Sequence, residues 1–435
     1  MIRGMRDSSE FHRDVFPFDV PPRIDTSAYP QAAELHITDT TLRDGQQGWR
    51  TLSVDESLRI YEMLHRLDNG KGMIMSSEVF PYTAKDRTVI EKITNLNYDF
   101  PRPIGWIRAR TEDVDLLLRT ALRWTVMLCS ISDYHIHHKL GTTRARAVEN
   151  YLKTVRYALE KGISLKVSLE DITRADMNGL VIPFVNALMD VAEEYGQFMT
   201  IKFADTLGLG LPFEEAELPR GIPRIVNSLR RKAGLVPEQL EFHGHNDFHL
   251  VVANHMAAWL HGAALSNCTL FGIGERAGNC PMEAMVMACA QACGSTSTID
   301  LVSFSEAADL FRDLGLNIPM HYPLFGENAF RTRAGIHIDG LLKNPEVYLP
   351  FDTQKILGIK PKVSVDAYSG RSAVAYWICN AFGLEMNHLK QDARVDRLYS
   401  DVVKMYEAGR ITPLADTEML ELVSKYLPEF VIRKK

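Results

Sequence analysis

The chain has 435 residues, 46% of them hydrophobic and 24% charged, which is ordinary globular usage and excludes a disordered or fibrous protein. Lys+Arg 49 against Asp+Glu 55 leaves a net charge of −6, so nothing draws the chain to nucleic acid or anionic lipid in general. No window reaches the ~18 uncharged apolar residues that a membrane helix needs. The six cysteines (Cys129, Cys268, Cys280, Cys289, Cys293, Cys379) form no CxxC pair.

The first residues, MIRGMRDSSEFHRD, are polar and lack the apolar core of a secretory signal. With unpatterned thiols, that predicts a cytoplasmic protein whose cysteines are reduced and mostly buried. Residues 1–33 are Pro-rich and aperiodic, and are expected to form an arm on the surface or on a partner. From Glu34 a regular alternation begins. Strands are predicted at 35–38, 73–79, 102–107, 125–129, 163–169, 199–204, 240–245 and 266–271. Helices are predicted at 54–67, 85–96, 143–161, 179–195, 221–233, 249–262 and 281–293. The repeat of about 32 residues fits a βαβ crossover. Eight such units predict a (β/α)8 TIM barrel over 34–310, with an open doubly wound sheet as the alternative. Residues 301–345 look helical with a loop, and a Pro-, Gly- and Tyr-rich segment runs to Arg371. Amphipathic helices at 372–383, 388–408 and 415–426 complete a mainly helical region over 311–435.

A barrel places its chemistry at the carboxyl ends of its strands. The first strand ends in Thr38-Asp39-Thr40-Thr41-Leu42-Arg43-Asp44-Gly45-Gln46-Gln47, with Gly45 expected to permit a tight turn. The seventh ends in Glu241-Phe242-His243-Gly244-His245-Asn246-Asp247. The period of two puts His243 and His245 on one face. Two imidazoles with Asp44 from strand 1 make a mixed N/O set suited to Mn, Co, Fe or Zn. Hydrogen-bonded histidines and a surface Asp-Gly turn are the plainer alternatives. The eighth strand runs into Gly272-Ile273-Gly274-Glu275-Arg276-Ala277-Gly278-Asn279. Its spacing is not the dinucleotide fingerprint, and it reads either as a cofactor-facing loop or as a glycine-dependent turn. Glu170-Asp171-Ile172-Thr173-Arg174 and Asp205-Thr206-Leu207-Gly208 follow strands 5 and 6. They offer an Arg and a hydroxyl to a substrate carboxylate, or an ordinary ion pair.

Taken as a set, Asp39–Gly45, the His243–Asp247 run and Gly274–Asn279 resemble the DRE-TIM metallolyase family of acyl-CoA condensing enzymes and lyases. Gly335-Ile336-His337-Ile338-Asp339-Gly340, Tyr348 and Ser369-Gly370-Arg371 look like the post-barrel region of the condensing members. The stretches DTTLRDGQQ, SDYHIHHKL, LEDITRAD and FHGHNDFHLVVAN resemble most the branch acting on oxaloacetate. Gln46, His249 and Thr332 depart from the isopropylmalate pattern, and the chain stops at 435, without room for a leucine-sensing domain.

The resemblance implies Asp44, His243 and His245 as metal ligands with Asn279 as a fourth, and Mn2+, Co2+ or Mg2+ as the ion. It implies Arg43 as the group polarising a 2-oxoacid ketone, and His337 as the base or its relay, supported by Glu170 and Tyr348. His337 is then expected to act from the partner subunit of a homodimer. Gln47, Thr206, Arg174, Arg108 and His135 are expected to bind substrate, and Gly274 and Arg276 the CoA. The implied reaction is an acyl transfer from acetyl-CoA to oxaloacetate, giving citrate and CoA. The alternatives are the same chemistry on 2-oxoglutarate, 2-oxoisovalerate or pyruvate, a CoA-ester lyase, or an inactive binding barrel.

Overall fold

The eight apolar runs close into one parallel barrel in the computed structural model. It describes residues 17–295, 300–384, 389 and 391–432. The chain divides into two units, Arg23–Leu316 and a C-terminal unit from Asn317 that also takes in the segment up to Pro22. In the first unit the strands are β1 (His36–Asp39), β2 (Ile74–Val79), β3 (Arg102–Arg108), β4 (Trp124–Ser130), β5 (Ser164–Glu170), β6 (Thr200–Asp205), β7 (Leu240–Gly244) and β8 (Leu265–Cys268). Each pairs in parallel with the next, and β8 closes on β1 through Ile37↔Ser266 and Thr38↔Asn267. Closure removes both sheet edges and brings every strand's carboxyl end to one rim. The expected (β/α)8 barrel with helices after it is therefore the fold, and the doubly wound alternative is excluded.

The helices start where side chains satisfy their first N–H groups. Ser53 with Glu56 forms a capping box before α1 (Val54–Asp68), and Thr83 with Asp86 does so before α2 (Ala84–Asn95). Then follow α3 (Thr111–Leu118), α4 (Arg144–Glu160), α5 (Ile182–Glu194), α6 (Ile222–Lys232), α7 (Val251–Leu260), α8 (Met282–Cys293) and α9 (Ser303–Asp313). Helix α3 is the follower that eight βα units require after β3, but no range was predicted for it, because its eight residues are too few to display a periodic stripe. The predicted strand 266–271 overruns. The ladder stops at Cys268, Phe271 turns to φ 57, and Thr269 N donates to Cys280 O at 3.0 Å. An apolar run there imitates a strand, but closure against 279–281 decides its path.

Strand alternation sends Ile201, Phe203 and Phe242 outward to the helices. The Phe203 and Phe242 rings lie 5.1 Å apart, and Phe242 meets His255 of α7 at 4.5 Å. Among the described residues no helix is long and apolar enough to cross a membrane. Five of the six cysteines are buried, and all are free.

In the C-terminal unit, the stretch expected to be helical with a loop holds β9 (Arg331–Thr332) and α10 (Gly335–Lys343). Next come α11 (Thr353–Leu357), β10 (Lys362–Val363), which pairs with β9, and α12 (Gly370–Phe382). The unit ends in α13 (Ala393–Glu407), α14 (Asp416–Tyr426) and α15 (Pro428–Ile432). Part of the predicted start of helix 388–408 lies outside the described residues. Ile338, Val374, Ile378, Val395, Leu398 and Val423 form this unit's core. The predicted arm belongs to both units. Asp352 N donates to Phe18 O at 2.6 Å in one, and Ile24 N donates to Gln291 O at 3.0 Å in the other.

Phe203 is fully buried between barrel wall and helices. Phe203→Ala is expected to destabilise the barrel by about 3–5 kcal/mol through lost transfer energy and the cavity left behind. Urea unfolding followed by circular dichroism checks it, and a change under 1 kcal/mol would contradict the packing described.

Candidate active site

Asp39 organises the first rim turn. Its Oδ1 accepts from Thr41 N at 3.0 Å and its Oδ2 from Ser77 Oγ at 2.6 Å, and burial pushes its carboxyl up to about 6. Thr40 O then accepts from the N–H groups of Arg43, Asp44 and Gly45 at 3.2, 2.8 and 3.1 Å, winding Thr41–Gly45 into a π-helical turn. Gly45 is right-handed at φ −57, so the tight turn expected there is helical and needs no glycine for its φ. The space is what matters: a Cβ on Gly48 would sit 1.8 Å from Gly274 O, so this turn and the loop after β8 touch backbone to backbone.

That contact brings together the residues the motifs singled out. One ligand atom from each of Asp44, His243 and His245 lies within 4.8 Å of the others, and all three residues are buried. Asp44 Oδ2 is 3.5 Å from His243 Nε2 and 3.8 Å from His245 Nε2, and the two Nε2 atoms are 3.3 Å apart. His243 Nδ1 faces Asn267 Oδ1 at 2.7 Å, which sets the proton on Nδ1 and turns the Nε2 lone pair to the cluster. Burial lowers both imidazoles, with Lys202 adding to it at His243, so they are neutral donors. Burial works against the Asp44 charge, but the Arg43 guanidinium and the Asn279 amide hold its carboxyl well below the usual range. Two neutral imidazole nitrogens and a carboxylate converging in a buried space fit a divalent cation. Asn279 Nδ2 donates to Asp44 Oδ2 at 2.8 Å, while its Oδ1 is buried without a partner. A Cβ on Gly274 would strike that Oδ1 at 1.7 Å, so glycine there makes room for Asn279.

Sequence reasoning missed what lies beneath. Glu78 Oε2 accepts from Arg43 Nε at 3.2 Å and Thr40 Oγ1 at 2.9 Å. Its Oε1 accepts from Lys202 Nζ and, at 3.1 Å, from Asn267 Nδ2. Lys202 Nζ is 3.1 Å from Glu241 Oε1, and Lys166 Nζ donates to Glu241 Oε2. Glu78, Lys166, Lys202 and Glu241 are at most 1% exposed. Burial raises the Glu78 carboxyl, but Lys202, Arg43 and Lys166 outweigh it and hold it at about 2. The Arg43 guanidinium also lies 5.1 Å from the Trp106 ring centroid. The available signal was a charged residue at interior-facing positions of predicted strands, in 73–79, 163–169, 199–204 and 240–245.

Most of the remaining predicted residues have protein partners. Arg108 is bidentate to Asp113 through Nε and Nη2 at 2.8 and 2.9 Å. Arg174 holds Asp171 through Nε and Nη2 and lies over the Tyr134 ring. His135 sits between Glu170 at 3.2 Å and Asp171 at 3.6 Å. Glu170 also takes Lys139 and Ser130, and although burial raises it, these partners hold it at about 2. Thr206 Oγ1 accepts from Asp171 N at 2.9 Å. Arg276 bridges Asp247 and Thr206 O. Gln47 is exposed. In the C-terminal unit, His337 is exposed on α10, its ring 4.5 Å from that of Tyr348. Gly335 N donates to Tyr368 O at 3.2 Å, so the Gly335–Gly340 and Ser369–Arg371 motifs do meet.

A second trio, His255, Cys268 and Cys280, also lies within 4.8 Å. Ser266 Oγ holds His255 Nδ1 at 2.7 Å and stands 3.3 Å from Cys268 Sγ, and burial pushes the Cys280 thiol up. It is a neutral hydrogen-bonded cluster behind the barrel wall.

A barrel whose rim presents Arg-Asp from strand 1 and His-x-His from strand 7 defines a class, and comparison with known proteins agrees. The HMGL-like family model matches residues 34–311, and the homocitrate synthase post-HMGL domain-like model matches 324–408. The chain belongs to the HMGL-like family, as its motifs led one to expect. It is 42% identical to a citrate (Re)-synthase of Clostridium kluyveri over 97% of this chain and 94% of that protein. It is 38% identical to a citrate (Re)-synthase of Syntrophus aciditrophicus, over 97% of this chain and 68% of that protein. Among solved structures, the hydroxymethylglutaryl-CoA lyase of Pseudomonas aeruginosa superposes with a TM-score of 0.52 at 15% identity, covering 66% of this chain and 95% of that one. This is a likeness of fold alone.

Asn267→Ala removes the acceptor that fixes the His243 tautomer. Mn2+ affinity is expected to fall about 10–100-fold, measured by isothermal titration, and an unchanged affinity would contradict the assigned role of Asn267.

Proposed function

We propose that this protein is a citrate (Re)-synthase, an acyltransferase that condenses acetyl-CoA with oxaloacetate and releases citrate and CoA. The observation that carries the reading is the convergence of Arg43, Asp44, His243 and His245 at one barrel rim, in a chain that keeps the post-barrel His337 and Tyr348. Asp44, His243 and His245 would hold Mn2+, Co2+ or Mg2+, with Asn279 as fourth ligand once its amide oxygen is turned inward. The ion supplies Lewis-acid polarisation of the ketone when bound.

The chain's own residues do the rest. Arg43 sets a fixed cation where the ketone oxygen gains charge, already desolvated and aimed by Glu78. His337 takes the α-proton of the acetyl thioester, with Tyr348 beside its ring and Glu170 in support. The carbanion carbon bonds to the ketone carbon, the alkoxide takes up a proton, and water then cleaves the citryl thioester to citrate and CoA. We place His337 in the partner subunit of a homodimer, and Gly274 and Arg276 beside the CoA.

Oxaloacetate carries a second carboxylate, which an apolar pocket would reject by several kcal/mol. Polar donors at the rim support a dicarboxylic substrate. The Arg108 and Arg174 pairs use Nε and Nη2 and leave Nη1 to spare, and Gln47 and Thr206 add further donors. Only small-molecule partners enter this reading, and the protein acts in the cytoplasm.

In coupled assays with four 2-oxoacids, kcat/KM is expected to be highest for oxaloacetate, then 2-oxoglutarate, with activity lost in EDTA and restored by Mn2+ or Co2+. A tenfold preference for 2-oxoisovalerate, about 1.4 kcal/mol in transition-state binding, would refute the polar pocket. Mixing inactive Arg43→Ala and His337→Ala subunits is expected to restore part of the activity in mixed dimers. No recovery in mixed dimers shown to form would place His337 in the same chain.

A further inference from the structure

Among the described residues, Lys202 is the member of the buried ion chain that reaches both glutamates. Arg43 serves Asp44 as well as Glu78, and Lys166 serves Glu241, so Lys202 is the third cation against three buried carboxylates. What Lys202 alone does is tie the pairs together, with Nζ bonded to Glu78 Oε1 and 3.1 Å from Glu241 Oε1. The Glu78 carboxylate is thereby held at both ends: Oε2 by Arg43 and Thr40, Oε1 by Lys202 and Asn267. Without Lys202, Oε1 would keep only the neutral Asn267 amide at 3.1 Å, and the plane of the carboxylate would be held less firmly. Its plane sets the direction of the Arg43 guanidinium. The same Glu78 oxygen orients the Asn267 amide, whose other end faces His243 Nδ1 at 2.7 Å.

We propose that Lys202 is a positioning residue for the condensation, fixing the plane of Glu78 and through it the reach of Arg43 to the ketone oxygen. The proposal rests on the reaction assigned above. It gives the interior lysines a role distinct from filling the barrel: Lys166 completes the anchor on Glu241, and Lys202 passes that anchor up to the rim. Lys202 lies 1% exposed beneath the site and is not a substrate contact.

The test uses the full-length Mn2+-loaded protein with Lys202→Met, which keeps the length of the side chain and removes the tie, and with Lys202→Gln and Lys202→Arg. A guanidinium displaced by a fraction of an ångström to an ångström is expected to lower kcat roughly 10–100-fold. KM for oxaloacetate and acetyl-CoA should stay within about 2-fold, because ground-state binding is untouched. Bound Mn2+ should stay at the wild-type level, and the Arg variant should recover more kcat than Gln. Wild-type kcat in folded Met or Gln variants would overturn the proposal. So would losses that track melting temperature across all three variants with KM rising in step, the mark of a merely structural residue. Should the Met variant fail to fold, the Gln and Arg pair carries the same comparison. Wild-type protein in the same assay separates the two readings. If it makes no citrate, the assigned reaction fails, and the variants are then compared on whichever 2-oxoacid of the panel it does turn over. No turnover of any of them overturns both.

Discussion

Charge can be packed inside this barrel only because it comes in equal numbers of each sign. Arg43, Lys166 and Lys202 face Asp44, Glu78 and Glu241, all at most 8% exposed and linked in one chain of contacts. A single unpaired member would cost several kcal/mol in desolvation, so each residue's place is dictated by its neighbours. An apolar barrel interior would be more forgiving of exchange, but it would give Arg43 nothing to push against. The rim is positioned by ion pairs that start near the middle of the barrel.

The two halves of the site are built by different means. Arg43 and Asp44 hang on a turn nucleated by the buried Asp39 carboxyl and a single carbonyl, Thr40 O. His243 and His245 come straight off β7 by strand alternation. The halves meet because Gly48 and Gly274 let two loops touch without side chains between them, and Gly274 leaves room for Asn279. The geometry of the Asp44, His243 and His245 cluster thus depends on two hydrogen atoms where any other residue would place a carbon. The C-terminal unit repeats the economy: Gly340 allows the Tyr348 ring against α10, beside His337, while Ile338 on the same helix is sunk in the core.

Most of the architecture was readable because periodicity reports burial. Runs of alternating or continuous apolar residues at barrel spacing located all eight strands to within a residue or two, β8 excepted at its carboxyl end. Asp44, His243 and His245 were legible because a period of two and a strand-end position are local properties. The parts that escaped are non-local. Glu78, Lys166, Lys202 and Glu241 stand 35 to 124 positions from their ion partners in sequence, and each alone looks like a solvated charge interrupting a strand.

Sequence alone determined the class of fold, the number of βα units, the motifs that supply Asp44, His243 and His245, and the family to which those motifs point. Each of these follows from residue type and short-range spacing. Tertiary structure decided that Arg43 leans on Glu78, that Asn267 rather than a carboxylate sets the His243 tautomer, and that Arg108, Arg174 and His135 are already engaged with Asp113, Asp171 and Glu170. The reason is closure: only when β8 pairs with β1 does the interior become a place without water, where every charge must find its opposite and each polar atom its partner.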